Sequence, residues 1–235
     1  MSEDLAIVVP LRRAAIYRLL SLALAYPTPP RLQAVATESA RVSVGAPAAL
    51  AGGLRRLAEA ARRADAETLA AEHIALFQRQ HRCPPYEGAY GPPRLAGKAT
   101  LLADVAGFYR AFGLEPAAGQ PEVEDHVCAE LEFMSVLALK EAWALGEDAA
   151  DMLDVTRAAA RSFLTDHLGR WGAAFAARVR ETVAPGVLPA AAALLAAWLD
   201  AECARLEVAP SPLEGVSEAE SGAFACPMAR EEPRD

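Results

Sequence analysis

Paired cysteines, phosphate-cradling glycine loops and clustered positive charge are all missing from this chain, and each absence closes off a class of function. Four cysteines, Cys83, Cys128, Cys203 and Cys226, lie scattered through 235 residues without a Cys-x-x-Cys pair. They are too few for a disulfide scaffold and read as reduced thiols in a cytoplasmic protein. No Walker-type or dinucleotide glycine motif occurs. None of the four histidines sits in a Glu-x-x-His, which removes the di-iron bundle pattern. Asp and Glu outnumber Lys and Arg by 31 to 23, giving a net charge of −8 and a pI near 5.1. Nucleic acid, which requires clustered cations, is therefore a poor partner, whereas a basic peptide would be steered toward such a surface.

Clean export and membrane signals are absent as well. Arg12-Arg13 followed by AAIYRLLSLALA has the outline of a twin-arginine leader, but Arg18 interrupts the apolar run. Glu3 and Asp4 precede it, and no small-residue cleavage site follows cleanly, so an amphipathic first helix is the better reading. Thr182–Leu199 carries no charge and approaches the ~20 residues of a membrane span. Pro185, Gly186 and Pro189 break it, and most of the rest is alanine. We expect a buried core helix starting near Val187, and no stable membrane association.

What is present is helical periodicity almost throughout, in a chain that is 53% hydrophobic and long enough for one sizeable core. The pattern predicts helices over Leu11–Ala25, Arg31–Ser39, Pro47–Arg62, a segment capped by Asp65 and running to Phe77, then Gly97–Phe112, Glu122–Leu145, Ala149–His167, Arg170–Val183 and Val187–Leu206. The expected architecture is a single all-α domain over residues 1–207, of roughly eight or more helices and so not a four-helix bundle. Residues 208–235, rich in Pro, Ser, Gly and Glu, read as a flexible tail, with Cys226 an incidental thiol.

Two segments carry the functional signal. His81–Leu95 holds four prolines, two glycines and two tyrosines. Its backbone has lost donors and must be ordered by side chains. Tyr86 and Tyr90 on such a rigid loop suit peptide contact, because little entropy is lost on binding; they equally suit a cover over the core. The second segment, Glu122–Leu137, places Glu122, Glu124 and Asp125 in an expected first helical turn. Glu130 follows inside the apolar stripe, one turn beyond His126. A buried carboxylate needs a partner, and His126 or a loop tyrosine could supply it. Two readings stay open: a core network fixing helix to loop, or a polar contact at the edge of a ligand groove. Phe108, Tyr109 and Phe112 read as core.

At these residues the chain resembles the TorD/DmsD/NarJ family of redox-enzyme maturation chaperones. The matching features are Tyr17-Arg18-Leu19-Leu20-Ser21 with Tyr26-Pro27, His73-x-x-Leu76-Phe77, and Pro84-Pro85-Tyr86-Glu87-x-x-Tyr90. Phe108-Tyr109 with Phe112-Gly113-Leu114, Asp125-His126 with Glu130-Leu131-Glu132-Phe133-Met134, and Phe163, His167-Leu168 and Trp171 complete the set. The family's Asp-His is usually preceded by proline, which this chain lacks. The resemblance implies a TorD-like all-helical cytoplasmic chaperone, not an enzyme, without a cofactor of its own. Its partners would be the catalytic subunit of a molybdenum-cofactor oxidoreductase, of the type II DMSO reductase kind, and that subunit's twin-arginine leader. By position, the leader-binding residues would be Leu76, Phe77, Pro84, Pro85, Tyr86, Tyr90, Asp125, His126 and Glu130. Family members also form helix-swapped dimers, so a homodimer is compatible with the chain. The principal alternative is a metal- or ligand-binding regulator using His81-x-Cys83 and His126-x-Cys128. The other rivals are an enzyme with Asp125-His126 as base and a structural subunit of an oxidoreductase.

Overall fold

The computed structural model describes residues 3–79, 83–92, 97–115, 123–213 and 215–216. Among them are nine α-helices: α1 (Glu3–Leu24), α2 (Pro29–Ser43), α3 (Ala48–Arg63), α4 (Ala66–Ile74), α5 (Gly97–Ala111), α6 (Val127–Gly146), α7 (Ala150–Asp166), α8 (Leu168–Thr182) and α9 (Val187–Leu206). No strand forms among these residues, only isolated bridges that pair Tyr86 with His126 and Tyr90 with Val216. The all-α expectation is met.

Local chemistry sets most of the boundaries. Asp65 accepts the backbone N–H of Thr68 at 2.8 Å and so starts α4 as expected. Thr28 caps α2, with Pro29 and Pro30 in the first turn, where a missing N–H leaves no bond unmade. α4 passes into a π turn over Ala75–Arg79, which carries Leu76 and Phe77 into the core. α1 begins at Glu3, well before the expected Leu11, and runs through Pro10. Proline removes one helical hydrogen bond, and in the turn before it Ile7 lies beside Gly146 at the far end of α6.

α1 and α6 pack antiparallel through the middle of the molecule. Ser135 Oγ donates to the Ala14 carbonyl at 2.9 Å, and Cys128 Sγ reaches the Ser21 carbonyl at 3.4 Å. α2 pairs with α3, α8 with α9, and α3 lies against α9, closing the core around Tyr17, Phe133, Phe163, Trp171 and Phe175. α9 is long and apolar enough to cross a membrane, yet half of its apolar window is buried and it bears the paired Glu202. The expectation of a core helix from Val187 holds.

A cluster of buried charge joins the helices. Arg13, from the Arg-Arg pair, is 5% exposed and grips Glu202 of α9 through Nε at 3.0 Å and Nη2 at 2.9 Å. Its other terminal nitrogen pairs with Glu141 of α6. Tyr17 donates to Glu202 at 3.0 Å, Arg205 to Glu202 at 2.8 Å and Arg157 of α7 to Glu141 at 2.9 Å. Burial works to raise the pKa of both carboxyls. The Arg205 and Arg13 hydrogen bonds at Glu202, and the Arg13 charge with the Arg157 bond at Glu141, outweigh it and hold both below the usual carboxylate range.

The chain described after α9 departs from the expectation of a free tail beginning at 208. Leu213 is buried and its N–H donates to the Arg170 carbonyl at 2.7 Å, while Gly215 and Val216 pair with Gly91 and Tyr90. Cys226 lies outside the described residues.

Arg13→Ala is expected to cost about 3–5 kcal/mol, because two carboxylates would remain buried without their shared cation. Urea denaturation at neutral pH measures this, and Arg13→Lys, which keeps charge but loses the fork, should fall between variant and wild type.

Candidate peptide-recognition site

Among the described residues the Pro-rich loop closes one short turn on itself, at Tyr86–Tyr90, and bonds to the segment that enters α6. Val127 N–H donates to the Pro85 carbonyl at 2.8 Å, and Glu87 N–H donates to the Asp125 carbonyl at 2.9 Å. The Asp125 side chain accepts from Gly88 N–H at 3.0 Å. A Cβ on Gly88 would lie 3.0 Å from that same carboxylate oxygen, which accounts for a glycine here. Loop and helix entry thus form one rigid unit.

The entry itself differs from expectation. α6 starts at Val127, so Glu124 and Asp125 precede the helix and do not occupy its first turn; Glu122 lies outside the described residues. His126 is the N-cap, and its Nδ1 accepts the Cys128 N–H at 3.1 Å. The reason is local: once Asp125 turns back to hold the loop, the imidazole is left to satisfy an orphan N–H of the helix end. Acceptance at Nδ1 requires the neutral ring. Burial, followed by the nearby His73, lowers the His126 pKa to about 4.

Glu130 is fully buried, and a hydrogen bond it accepts among the described residues comes from another helix. Trp171 of α8 donates its indole N–H to Glu130 at 3.1 Å. On α6 the Glu130 carboxylate faces α8, while the His126 ring is turned toward its own helix end and Tyr86. The Tyr90 hydroxyl makes no hydrogen bond among the described residues, and burial raises its pKa well above the usual phenol value. The core-network reading therefore fits Glu130. Two further buried acids join it: Asp125, and Glu87, whose carboxylate meets His167 Nδ1 at 2.9 Å. His167 Nε2 lies 3.6 Å from the exposed Asp104. Tyr109, donating to the Glu124 carbonyl at 2.8 Å, feels this acidity. Burial first, then Glu130, Asp125, Glu124 and Glu87, push its hydroxyl well above the phenol range.

The expected site residues thus divide by depth. Leu76, Phe77, Tyr90 and Glu130 are core side chains; Pro84, Pro85 and Asp125 are buried where the loop is fastened. Tyr86 is partly exposed, and His126 is 8% exposed. These last two meet edge to face, ring centroids 5.2 Å apart, with Lys98 Nζ 5.3 Å from the Tyr86 ring centre. Sequence reasoning missed the continuation of this ribbon. His73 lies close enough to His126 to disfavour its charging, and it stacks edge to face on the 42% exposed Tyr26 at 5.6 Å. The signal was available in Tyr26-Pro27 and His73, but nothing in one dimension places α1's end beside α6's start. Together these rings form a ribbon, Tyr26–His73–His126–Tyr86, edged by Lys98; its two tyrosines reach solvent, and the imidazoles between them are buried, His73 at 7% and His126 at 8% exposure.

A cavity of about 420 Å³ beside the α6 entry is lined by Ala106, Tyr109, Arg110, Leu114, Glu115 and Glu124; neither Asp125 nor His126 opens into it. Among the described residues no three His, Cys, Asp or Glu groups approach closely enough to hold a metal. His126 and Cys128 diverge, one toward Tyr86 and the other toward α1; His81 lies outside the described residues.

The sequence profile of the nitrate reductase delta subunit family matches residues 45–177, from the turn before α3 into α8 and across both loop and α6 entry. The chain belongs to the nitrate reductase delta subunit family. Among its relatives are the chlorate reductase assembly chaperone of Ideonella dechloratans, 36% identical over 121 residues, and the selenate reductase assembly chaperone of Thauera selenatis, 35% identical over 121. Each alignment covers 49% of this chain and 60% of the relative. The perchlorate reductase assembly chaperone of Dechloromonas aromatica (strain RCB) is 35% identical over 116 residues, 49% of this chain and 50% of the relative. The chain therefore spans only half to three-fifths of these curated relatives' length. Its fold is similar to a crystal structure from Archaeoglobus fulgidus assigned as a redox enzyme maturation protein. The TM-score is 0.52 at 24% identity, covering 80% of this chain and 93% of that one.

Two measurements test this family member's buried polar groups. Glu130→Ala should lose roughly 1–3 kcal/mol, because the Trp171 indole N–H is left without its acceptor inside the core; thermal melting reads the change. The His126 imidazole supplies a pH dependence. Its folded pKa, about 4, lies below the unfolded value, so protons favour the unfolded chain. The stability it gives is complete above about pH 6.5 and falls away toward pH 4, by roughly 2–3 kcal/mol. His126→Asn keeps a capping oxygen but cannot titrate. The variant's denaturation midpoint should fall less steeply between pH 6.5 and 4 than that of wild type.

Proposed function

We propose that this protein is a cytoplasmic assembly chaperone, and not an enzyme, for the catalytic subunit of a molybdenum-cofactor oxidoreductase. It holds the subunit's twin-arginine leader until the cofactor is in place. The observation that carries this reading is the coincidence of the family match with the built surface: residues 45–177 include the Pro84–Tyr90 loop, His73 and the α6 entry. Three relatives of this chain carry the names of assembly chaperones for chlorate, selenate and perchlorate reductases, which favours an oxyanion reductase of the type II DMSO reductase kind as client.

The physical fit is consistent. A leader has a basic end and an apolar middle, and this chain offers a net charge of −8 with an aromatic ribbon on a preorganised backbone. In this reading the solvent-reaching Tyr86 and Tyr26 make the contacts, with His126 and His73 packed between them. Leu76, Phe77, Pro84, Pro85, Tyr90, Asp125 and Glu130 act from beneath, by holding that surface in shape.

Calorimetry with the client's leader peptide should give a micromolar or tighter Kd, and a scrambled leader no saturable heat. Tyr86→Ala should weaken binding about tenfold, near 1.4 kcal/mol, with little change in melting temperature. Equal heats for the true and scrambled peptides would overturn the reading. In a host lacking the gene, the client subunit should accumulate without cofactor and regain it when the gene is restored.

A further inference from the structure

The residues that follow α9 reach back to the recognition loop. Glu207, in the left-handed conformation at φ 54°, turns the chain, and Val208 N–H closes on the Cys203 carbonyl at 3.0 Å. The chain then crosses the start of α8. Arg170 Nε donates to the Ser211 carbonyl at 3.1 Å, and Leu213 N–H donates to the Arg170 carbonyl at 2.7 Å. It ends on the loop: Gly91 N–H donates to the Gly215 carbonyl at 3.1 Å, and Val216 bridges Tyr90 antiparallel. Leu213, 7% exposed, fills the space over Gly91. Gly91 has φ +82° and its Cβ would stand 2.8 Å from Leu213 Cδ2, so both the backbone and the close approach call for glycine. Beneath, Tyr90 packs on Trp171, ring centroids 5.3 Å apart, and Trp171 holds Glu130 of α6.

We infer that residues 208–213 with 215 and 216 are a clasp that fixes the far end of the recognition loop, making Leu213 and Arg170 positioning residues for peptide binding although neither lies on the ribbon. The near end of the loop is fastened at residues 125–127, and Glu87 is fastened to His167. The Tyr90–Gly91 end draws its cross-chain backbone pairing from the clasp. A loop fixed at one end only has to be ordered when peptide binds, and that entropy is lost from affinity. The inference rests on the leader-binding reading above.

The test uses full-length Leu213→Asp, Leu213→Met and Arg170→Ala, each read by hydrogen exchange over residues 83–92 and by calorimetry with the leader peptide. Leu213→Asp should speed exchange in the loop about tenfold or more while α6 amides stay protected, and should weaken the leader about tenfold. Arg170→Ala should move both readings the same way by less, and Leu213→Met should restore both. Unchanged loop exchange in Leu213→Asp would overturn the clasp. Faster exchange with unchanged affinity would overturn its role in recognition. Should Leu213→Asp not fold, Arg170→Ala, altered at the surface, decides by the same two readings. A wild-type chain that binds no leader overturns the recognition reading itself, and is told apart because loop exchange still rises in Leu213→Asp.

Discussion

Two consecutive prolines, Pro84 and Pro85, deprive the loop of donors, and the arrangement of this molecule's functional end depends on where the remaining backbone groups find partners. Cys83 N–H turns back to the Leu76 carbonyl, Pro85 offers its carbonyl to Val127, and Glu87 and Gly88 are held by Asp125. Ala89 and Tyr90 close a short turn on Tyr86 and Glu87, and Gly91 goes to Gly215. A buried polar backbone must be paired. Here the pairing draws the α4 extension, the α6 entry and the C-terminal segment to one place. The order of the surface is a by-product of that requirement, and it is why a proline-rich stretch can present Tyr86 in a single position.

Charge buried beneath and beside this surface adds a second constraint. Glu87, Asp125 and Glu130 are fully buried at the loop end; Arg13, Glu141 and Glu202 are nearly so at the α1–α6–α9 junction. Such groups contribute little net stability compared with apolar side chains of the same shape, but misplacing any of them is costly. We read them as registers: Arg13 fixes α1 against α6 and α9, Glu130 fixes α6 against α8, and Glu87 fixes the loop against the α7–α8 junction. An apolar stripe of alanine and leucine, as on α9, tolerates sliding. A fork of hydrogen bonds does not.

Much of this was legible in one dimension. The 3.6-residue periodicity, Asp65 as cap, the proline breaks and the interrupted apolar run of α9 follow from local physics, and the helices fall close to where that physics puts them. Glu130 declared itself as a carboxylate in an apolar stripe. The errors have a common cause. α6 begins five residues later than expected because Asp125 serves the loop, a partner remote in sequence. α1 begins at Glu3 and passes through Pro10, with Ile7 beside Gly146, a neighbour remote in sequence. Residues 208–213, 215 and 216 read as tail because their composition is that of a tail, while their contacts are with Arg170, Tyr90 and Gly91.

The sequence by itself determined that this is a one-core helical protein with a stiff aromatic loop and an acidic charge, and its motif order marked the family. Those properties are set by residues near one another along the chain, through dihedral preference, capping and periodicity. Tertiary structure alone decided which polar group answers which. Trp171 donates to Glu130, Arg13 becomes an interior cation shared by Glu141 and Glu202, and Tyr26 and His73 join Tyr86 and His126 on one ribbon. Each of those pairings depends on geometry between helices that are distant in the chain, and desolvation makes the choice of partner strict.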